Sequence, residues 1–76
     1  MKAEVGKPYM HYKGERYVVD SISTHTETGE VFINYCGAWD YLRKKSFVPK
    51  MWSRPIEMFE EEVEVRGKMT HRFTLL

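Results

Sequence analysis

Short apolar runs separated by glycine-bearing polar turns dominate the chain, and this spacing predicts a mostly β protein. Tyr9-Met10-His11-Tyr12 is a brief aromatic run, broken by Lys13-Gly14, where Gly14 can take positive φ. From Glu15 to about Thr24 the chain reads as a strand. Arg16-Tyr17-Val18-Val19 and Ile22 supply the aromatic and β-branched side chains that pleated positions favour. Apolar residues fall on both of its faces, which predicts a strand curled inside a small barrel. His25-Thr26-Glu27-Thr28-Gly29 has the chemistry of a hairpin turn. Glu30 to Cys36 returns as a second long strand, with Val31, Ile33 and Tyr35 on one face and Phe32, Asn34 and Cys36 on the other.

Gly37 to Trp52 has no clean period over about sixteen residues, and reads as a long loop of the kind that carries function or interfaces. Within it, Lys45-Ser46-Phe47-Val48 is a candidate short strand. Ser53-Arg54-Pro55-Ile56-Glu57-Met58-Phe59 then predicts one helical turn, capped by Ser53, with Pro55 in its first turn and Met58 and Phe59 in the core. Glu60 to Val65 reads as an edge strand blunted by charge. Arg66-Gly67 is a tight turn, and Lys68 to Phe73 alternates, with Met69, His71 and Phe73 on one face. The expected fold is mostly β: a small SH3-like, partly open antiparallel β-barrel with one short helical turn. Residues 1–8 are expected to form a lead-in to one small domain over residues 9–76.

Composition sharpens this reading. A chain of 76 residues buries about 60% of its unfolded surface, so oligomerisation would be a natural source of extra buried area. A net charge of +1 gives no global electrostatic case for nucleic acid or an anionic membrane. The charges are nevertheless segregated: Arg43, Lys44, Lys45, Lys50 and Arg54 precede Glu57, Glu60, Glu61, Glu62 and Glu64, an arrangement that suits head-to-tail pairing in a homo-oligomer. The single cysteine, Cys36, excludes an intrachain disulfide and reads as a buried small hydrophobe. No apolar run reaches the roughly 18 residues of a membrane span, and Met1–Gly6 lacks the apolar core of a signal peptide. A cytoplasmic location is expected.

Candidate chemistry is sparse. His11, His25 and His71 match no zinc-ligand spacing, so no metal or cofactor is expected. Neither a glycine-rich phosphate loop nor a nucleophile elbow is present. Acid–base or nucleophilic pairs such as Glu57 with His25, or Cys36 with a histidine, have nothing in their spacing to bring them together, and an enzyme is not expected. The feature that remains is aromatic and basic: Tyr9, Tyr12, Trp39, Tyr41 and Trp52 with Lys13, Arg43, Lys44, Lys45 and Arg54. Rings stack on flat ligands and arginine forks hold phosphate or carboxylate. A compact anionic ligand needs few cations, so it fits this charge balance better than a nucleic-acid strand.

Taken in order, Met10-His11-Tyr12-Lys13-Gly14, Tyr17-Val18-Val19, His25-Thr26-Glu27-Thr28, Tyr35, Trp52 with Arg54-Pro55-Ile56-Glu57-Met58-Phe59, and Val63-Glu64-Val65 with Gly67 and Phe73 resemble a small bacterial and phage family called domain of unknown function 1653. The likeness covers residues 9–73. Thr26 stands where the family usually has serine, and the Gly37–Trp52 stretch is longer than its usual loop. The resemblance implies a small β fold and a binding role rather than a reaction. It implies His11, Tyr12, Lys13, Gly14, His25, Glu27, Trp52, Arg54, Pro55, Glu57 and Phe59 as shared positions. Of these, Gly14 and Pro55 are read as backbone constraints and Phe59 as core.

The expectation is therefore a non-enzymatic binding domain, assembled as a homo-oligomer, for a compact anionic or nucleotide-like ligand, in one form a phage-type sponge for a signalling nucleotide. His11, Tyr12, Lys13, His25, Glu27, Trp52, Arg54 and Glu57 are its candidate ligand-binding residues. Arg54 and Lys13 would neutralise the anion, His25 would donate, and Trp52 or Tyr12 would stack. The alternatives are a protein-interaction adaptor that uses the aromatic Gly37–Trp52 loop and, more weakly, a single-stranded nucleic-acid binder.

Overall fold

The computed structural model describes residues 3–46 and 48–76. Its central element is the antiparallel hairpin of β2 (Arg16–Thr24) and β3 (Val31–Gly37). β1 (Pro8–His11) pairs with β2 on one side and with β7 (Phe73–Leu75) on the other, and β4 (Trp52–Pro55) pairs with β3. The sheet order is β4-β3-β2-β1-β7, antiparallel throughout. β5 (Glu62–Val65) and β6 (Lys68–His71) form a separate two-stranded hairpin. Two helices of 5 residues each, α1 (Ala38–Leu42) and α2 (Ile56–Glu60), lie in the connections. No helix among the described residues is long and apolar enough to cross a membrane.

The core is the set of inward positions of the sheet capped by α2. Tyr9, Val19, Ile33, Tyr35 and Phe73 are buried together, and Phe59 of α2 closes over them. Phe59 stacks on Phe73 with ring centroids 4.1 Å apart, and meets Tyr9 and Tyr35 edge-on at 5.4 and 5.6 Å. Val18 and Cys36, cross-strand partners, are buried outside this cluster. α1 packs against β2 and β3, the strands that carry these two residues. β2 is thus apolar on both faces because both are covered.

The register of β2 and β3 shifts between Val19 and Ser21, leaving Asp20 as an extra residue that accepts an ion pair from Lys44 at 2.9 Å. Such a bulge bends its strand. In a flat sheet β4 and β7 would lie four strand spacings, about 19 Å, apart. Arg54 of β4 nevertheless places its guanidinium carbon 5.9 Å from the centroid of Phe73 on β7. The sheet is open but strongly curled, in keeping with the partly open antiparallel barrel expected from the sequence.

Residues 3–7 are tied to this sheet: Gly6 N–H donates to the Val19 carbonyl at 2.8 Å, Glu4 N–H to the Tyr9 hydroxyl at 2.8 Å, and Ala3 N–H to Glu60 Oε2 at 3.1 Å. At the far end of the chain, Arg66 and Gly67 take φ of 52° and 79°, the two left-handed positions of a tight hairpin turn.

Several local expectations are corrected. There are two short helices, not one, because Ala38–Leu42 folds within the stretch read as irregular. Ser53 does not cap α2. It is a strand residue whose hydroxyl donates to Asn34 Oδ1 at 2.9 Å, while the Asn34 amide donates to Ser21 and Ser23. That cross-strand ladder replaces the cap, and extended Pro55 leads directly into the helix. Met58 is exposed, unlike its neighbour Phe59. Lys68 to Phe73 is two strands in two sheets: Arg72 breaks it, its N–H donating to the Glu61 carbonyl at 3.0 Å and its guanidinium pairing with the Glu61 carboxylate at 2.6 Å. Met69 and His71 are consequently exposed while Phe73 enters the core. Of the candidate strand Lys45–Val48, Phe47 lies outside the described residues and the others are not in a strand.

Candidate functional site

Every strand of the curled sheet contributes to one concavity of about 140 Å³, lined by His11 of β1, Tyr17 of β2, Tyr35 of β3, Trp52 and Arg54 of β4, and Phe73 of β7. Strand register assembles it. Tyr35 lies opposite Trp52, His11 opposite Phe73, and Tyr17 opposite Gly37, which presents no side chain. The rings meet at steep angles: Tyr17 and Tyr35 at 89°, Tyr35 and Phe73 at 72°, His11 and Phe73 at 75°. These edge-to-face contacts are the favoured geometry for aromatic pairs and make stiff walls.

Phe73 is the floor. Phe59 covers one of its faces, so the Arg54 guanidinium, above the ring at 5.9 Å, stands over the other. Arg54 is half-buried, and its Nε donates to the Tyr35 hydroxyl at 3.3 Å. No carboxylate among the described residues pairs with it within 4 Å. Because the Tyr35 oxygen accepts from Arg54, the Tyr35 proton is left to donate elsewhere.

His11 is held by the turn that follows it. Gly14, at φ 101°, donates its N–H to the His11 carbonyl at 2.7 Å, and Lys13 N–H donates to His11 Nδ1 at 3.2 Å. An accepting Nδ1 leaves the neutral ring's proton on Nε2. Burial, then the Arg54 charge, lowers the His11 pKa from its ordinary 6.5, outweighing Glu15, which raises it. Tyr17 donates to Glu15 Oε1 at 3.4 Å, and burial followed by the Glu15 charge raises its pKa. The lining is therefore rich in donors and contains no carboxylate.

Of the residues singled out in the sequence, His11, Trp52 and Arg54 come together here. Tyr12 and Lys13 lie just outside: the Tyr12 ring leans on His11 at 4.6 Å, and Lys13 Nζ sits 5.8 Å from the Tyr12 ring. His25 and Glu27 occupy the exposed turn between β2 and β3, at the opposite end of that hairpin from Tyr17. There His25 Nδ1 accepts the N–H groups of Glu27 and Thr28 at 3.2 and 3.3 Å, a self-satisfied turn. Glu57 is exposed on α2. Sequence reasoning did not assign Tyr17, Tyr35 and Phe73 to the site. Their signal was the two-residue pleat that puts Tyr17 beside Val19, and Tyr35 beside Ile33, on the inward face.

No curated protein and no solved structure matches the chain significantly. All six pocket-lining residues fall within the stretches that carry the family resemblance. The profile described as Protein of unknown function (DUF1653) matches residues 7–75, and the chain belongs to that family.

Proposed function

We propose that this chain is a non-enzymatic binding domain that holds a compact anionic group in the pocket beneath Arg54. The supporting observation is the chemistry of the lining: a half-buried arginine without a carboxylate partner among the described residues, amid tyrosine, histidine and tryptophan donors. An anion accepts hydrogen bonds and donates none, so such a wall suits it. The concavity, about 140 Å³ and open to solvent, receives one acidic group beneath the arginine, with the rest of a larger ligand outside. Trp52, 45% exposed at the mouth, is placed to stack on whatever carries that group.

The test is native mass spectrometry on gently purified protein, paired with Arg54→Ala. A small mass retained by the wild type and lost from a variant with unchanged circular dichroism supports the reading. Equal retention in both sinks it. The same spectrum reports whether the chain is a homo-oligomer.

A second reading, the protein-interaction adaptor, draws on the exposure of Trp39, Leu42 and Val48 at 68%, 77% and 91%. It expects a bare protein in that spectrum and a partner whose capture is lost with Trp39→Ala.

A further inference from the structure

We propose that the surface around Trp39 docks on the solvent face of the β5–β6 hairpin of a second copy of this chain, a head-to-tail contact between copies. The contact is independent of the anion pocket. It rests on the second reading above only in taking Trp39 as an interface residue, and it makes the partner a copy of this chain instead of a foreign protein.

Two exposed faces carry the assignment. On α1, Trp39 and Leu42 stand three residues apart and are 68% and 77% exposed, while Ala38, Asp40 and Tyr41 are half-buried. The winding continues past the helix: the N–H groups of Arg43, Lys44 and Ser46 donate to the carbonyls of Asp40, Tyr41 and Arg43. Turns of that three-residue step bring every third side chain to one side, so Lys45 follows Trp39 and Leu42 there. The Arg43 guanidinium lies over the Trp39 ring at 5.7 Å. Lys44 is turned away to Asp20, its partner at 2.9 Å. This face is therefore apolar, with the cations Arg43 and Lys45 beside it.

On the hairpin, Glu62 lies opposite His71 and Glu64 opposite Met69, so these four side chains share one face, and all four residues are exposed. Val63 and Thr70, on the other face, are half-buried, which makes the first the solvent face. Met69 is 60% exposed there. The fixed charges of that face are the two carboxylates, and the His71 ring stands 3.9 Å from Glu62. Lys68 sits on the opposite face, Arg66 lies in the turn, and Glu61 and Arg72 pair with each other at 2.6 Å.

The two faces match in kind. Met69 offers a soft apolar side chain to Trp39 and Leu42, and Glu62 and Glu64 offer carboxylates to Arg43 and Lys45. Within one chain the faces belong to separate parts: α1 packs on β2 and β3, the hairpin forms its own sheet, and none of the ion pairs among the described residues joins them. A second copy supplies the complement of each. Because every copy presents one face of each kind, the contact is heterologous and either closes as a ring or runs on as a chain. The faces are small, so the contact belongs to the weak class of interface, below about 1,200 Å².

The experiment is sedimentation equilibrium over about 0.05–1 mM protein, a range that reads weak association. Two charge-reversed variants accompany the wild type. Arg43→Glu with Lys45→Glu makes the Trp39 face acidic, and Glu62→Lys with Glu64→Lys makes the hairpin face basic. The wild type is expected to associate, and less as salt rises. Each variant alone should associate more weakly by on the order of tenfold or more, with unchanged circular dichroism. An equal mixture of the two should regain the wild-type association, because each reversed face then meets its opposite. Leu42→Ser should weaken association with no change of charge. A wild type that stays monomeric throughout, association that survives either charge reversal, a mixture that fails to recover, or indifference to Leu42→Ser overturns the proposal. The first of these leaves a foreign partner for Trp39 standing, since that reading is tested by capture and not by mass. A monomer that sediments with vesicles of phosphatidylserine and phosphatidylcholine assigns the Trp39 face to an anionic bilayer and overturns the proposal as well.

Discussion

Replacing Phe59 by alanine should remove a large fraction of the stability of this fold. Phe59 is fully buried and contacts three rings: Phe73 at 4.1 Å, Tyr9 at 5.4 Å and Tyr35 at 5.6 Å. A buried Phe→Ala change costs about 3–5 kcal/mol, and each aromatic pair adds about 0.5–1.5 kcal/mol beyond its buried area, so the upper half of that range applies. A chain of 76 residues has about 4–11 kcal/mol to lose, at about 0.05–0.15 kcal/mol per residue. Urea unfolding followed by circular dichroism measures the change directly. With a slope of about 1 kcal/mol per molar urea for a domain this small, the midpoint should fall by about 4 M or more. Met58→Ala is the internal control. It lies next to Phe59 on the same helix but is 43% exposed, and should cost less than about 1 kcal/mol. A Phe59→Ala loss below about 1.5 kcal/mol, or equal losses for the two variants, would refute the idea that α2 seats this ring as the keystone of the core.

Three further outcomes are expected. Gly67→Ala, at φ 79° beside Arg66 at φ 52°, should destabilise by about 1–2 kcal/mol in the same urea assay, and an unchanged midpoint would contradict the turn geometry. Cys36 is buried, and burial, then the Asp20 and Asp40 charges, pushes its thiol pKa up from 9.0. Its reaction with a disulfide reagent should be slow in buffer and fast in denaturant, and prompt labelling of the native protein would count against the burial. His11 has a folded pKa below the unfolded value of about 6.5, so the unfolded chain takes up its proton first as pH falls. Stability should therefore drop as pH falls below 6.5 and level off below the folded pKa, with His11→Gln losing that component. An NMR-measured His11 pKa at or above 6.5 would reverse the sign.

The parts of the fold legible in the sequence were those decided locally. The β2–β3 hairpin followed from two runs of aromatic and β-branched residues around a turn rich in hydroxyls and glycine, Arg66-Gly67 from turn chemistry, and Phe59 and Cys36 from their apolar neighbours. What escaped was decided by distant contacts. Ala38–Leu42 is too short to display a helical period, and its helix is defined by its seat against β2 and β3. Ser53 has a capping residue's chemistry, but Asn34 across the sheet claims its hydroxyl. Nothing in the alternation of Lys68 to Phe73 announces that Glu61 will seize Arg72 and send Phe73 to another sheet. The site divides in the same way. Trp52 and Arg54 drew notice by their chemistry, whereas Tyr35 and Phe73 read only as strand positions, and it is the register and the curl that bring them to a cavity.

The pairing of β1 with β7 has a kinetic meaning. His11 and Phe73 face each other across that ladder, and bringing them together closes a loop of about sixty residues, whose entropy must be surrendered before any contact rewards it. A folding intermediate holding only the β2–β3–β4 meander would have Tyr17, Tyr35, Trp52 and Arg54 in register but no floor beneath the arginine. A ligand of this pocket would thus recognise the finished fold alone, and at a hundred times its dissociation constant would deepen the native well by about 2.7 kcal/mol. For a domain with so small a core, the occupied protein would be measurably slower to unfold and harder to cleave than the empty one.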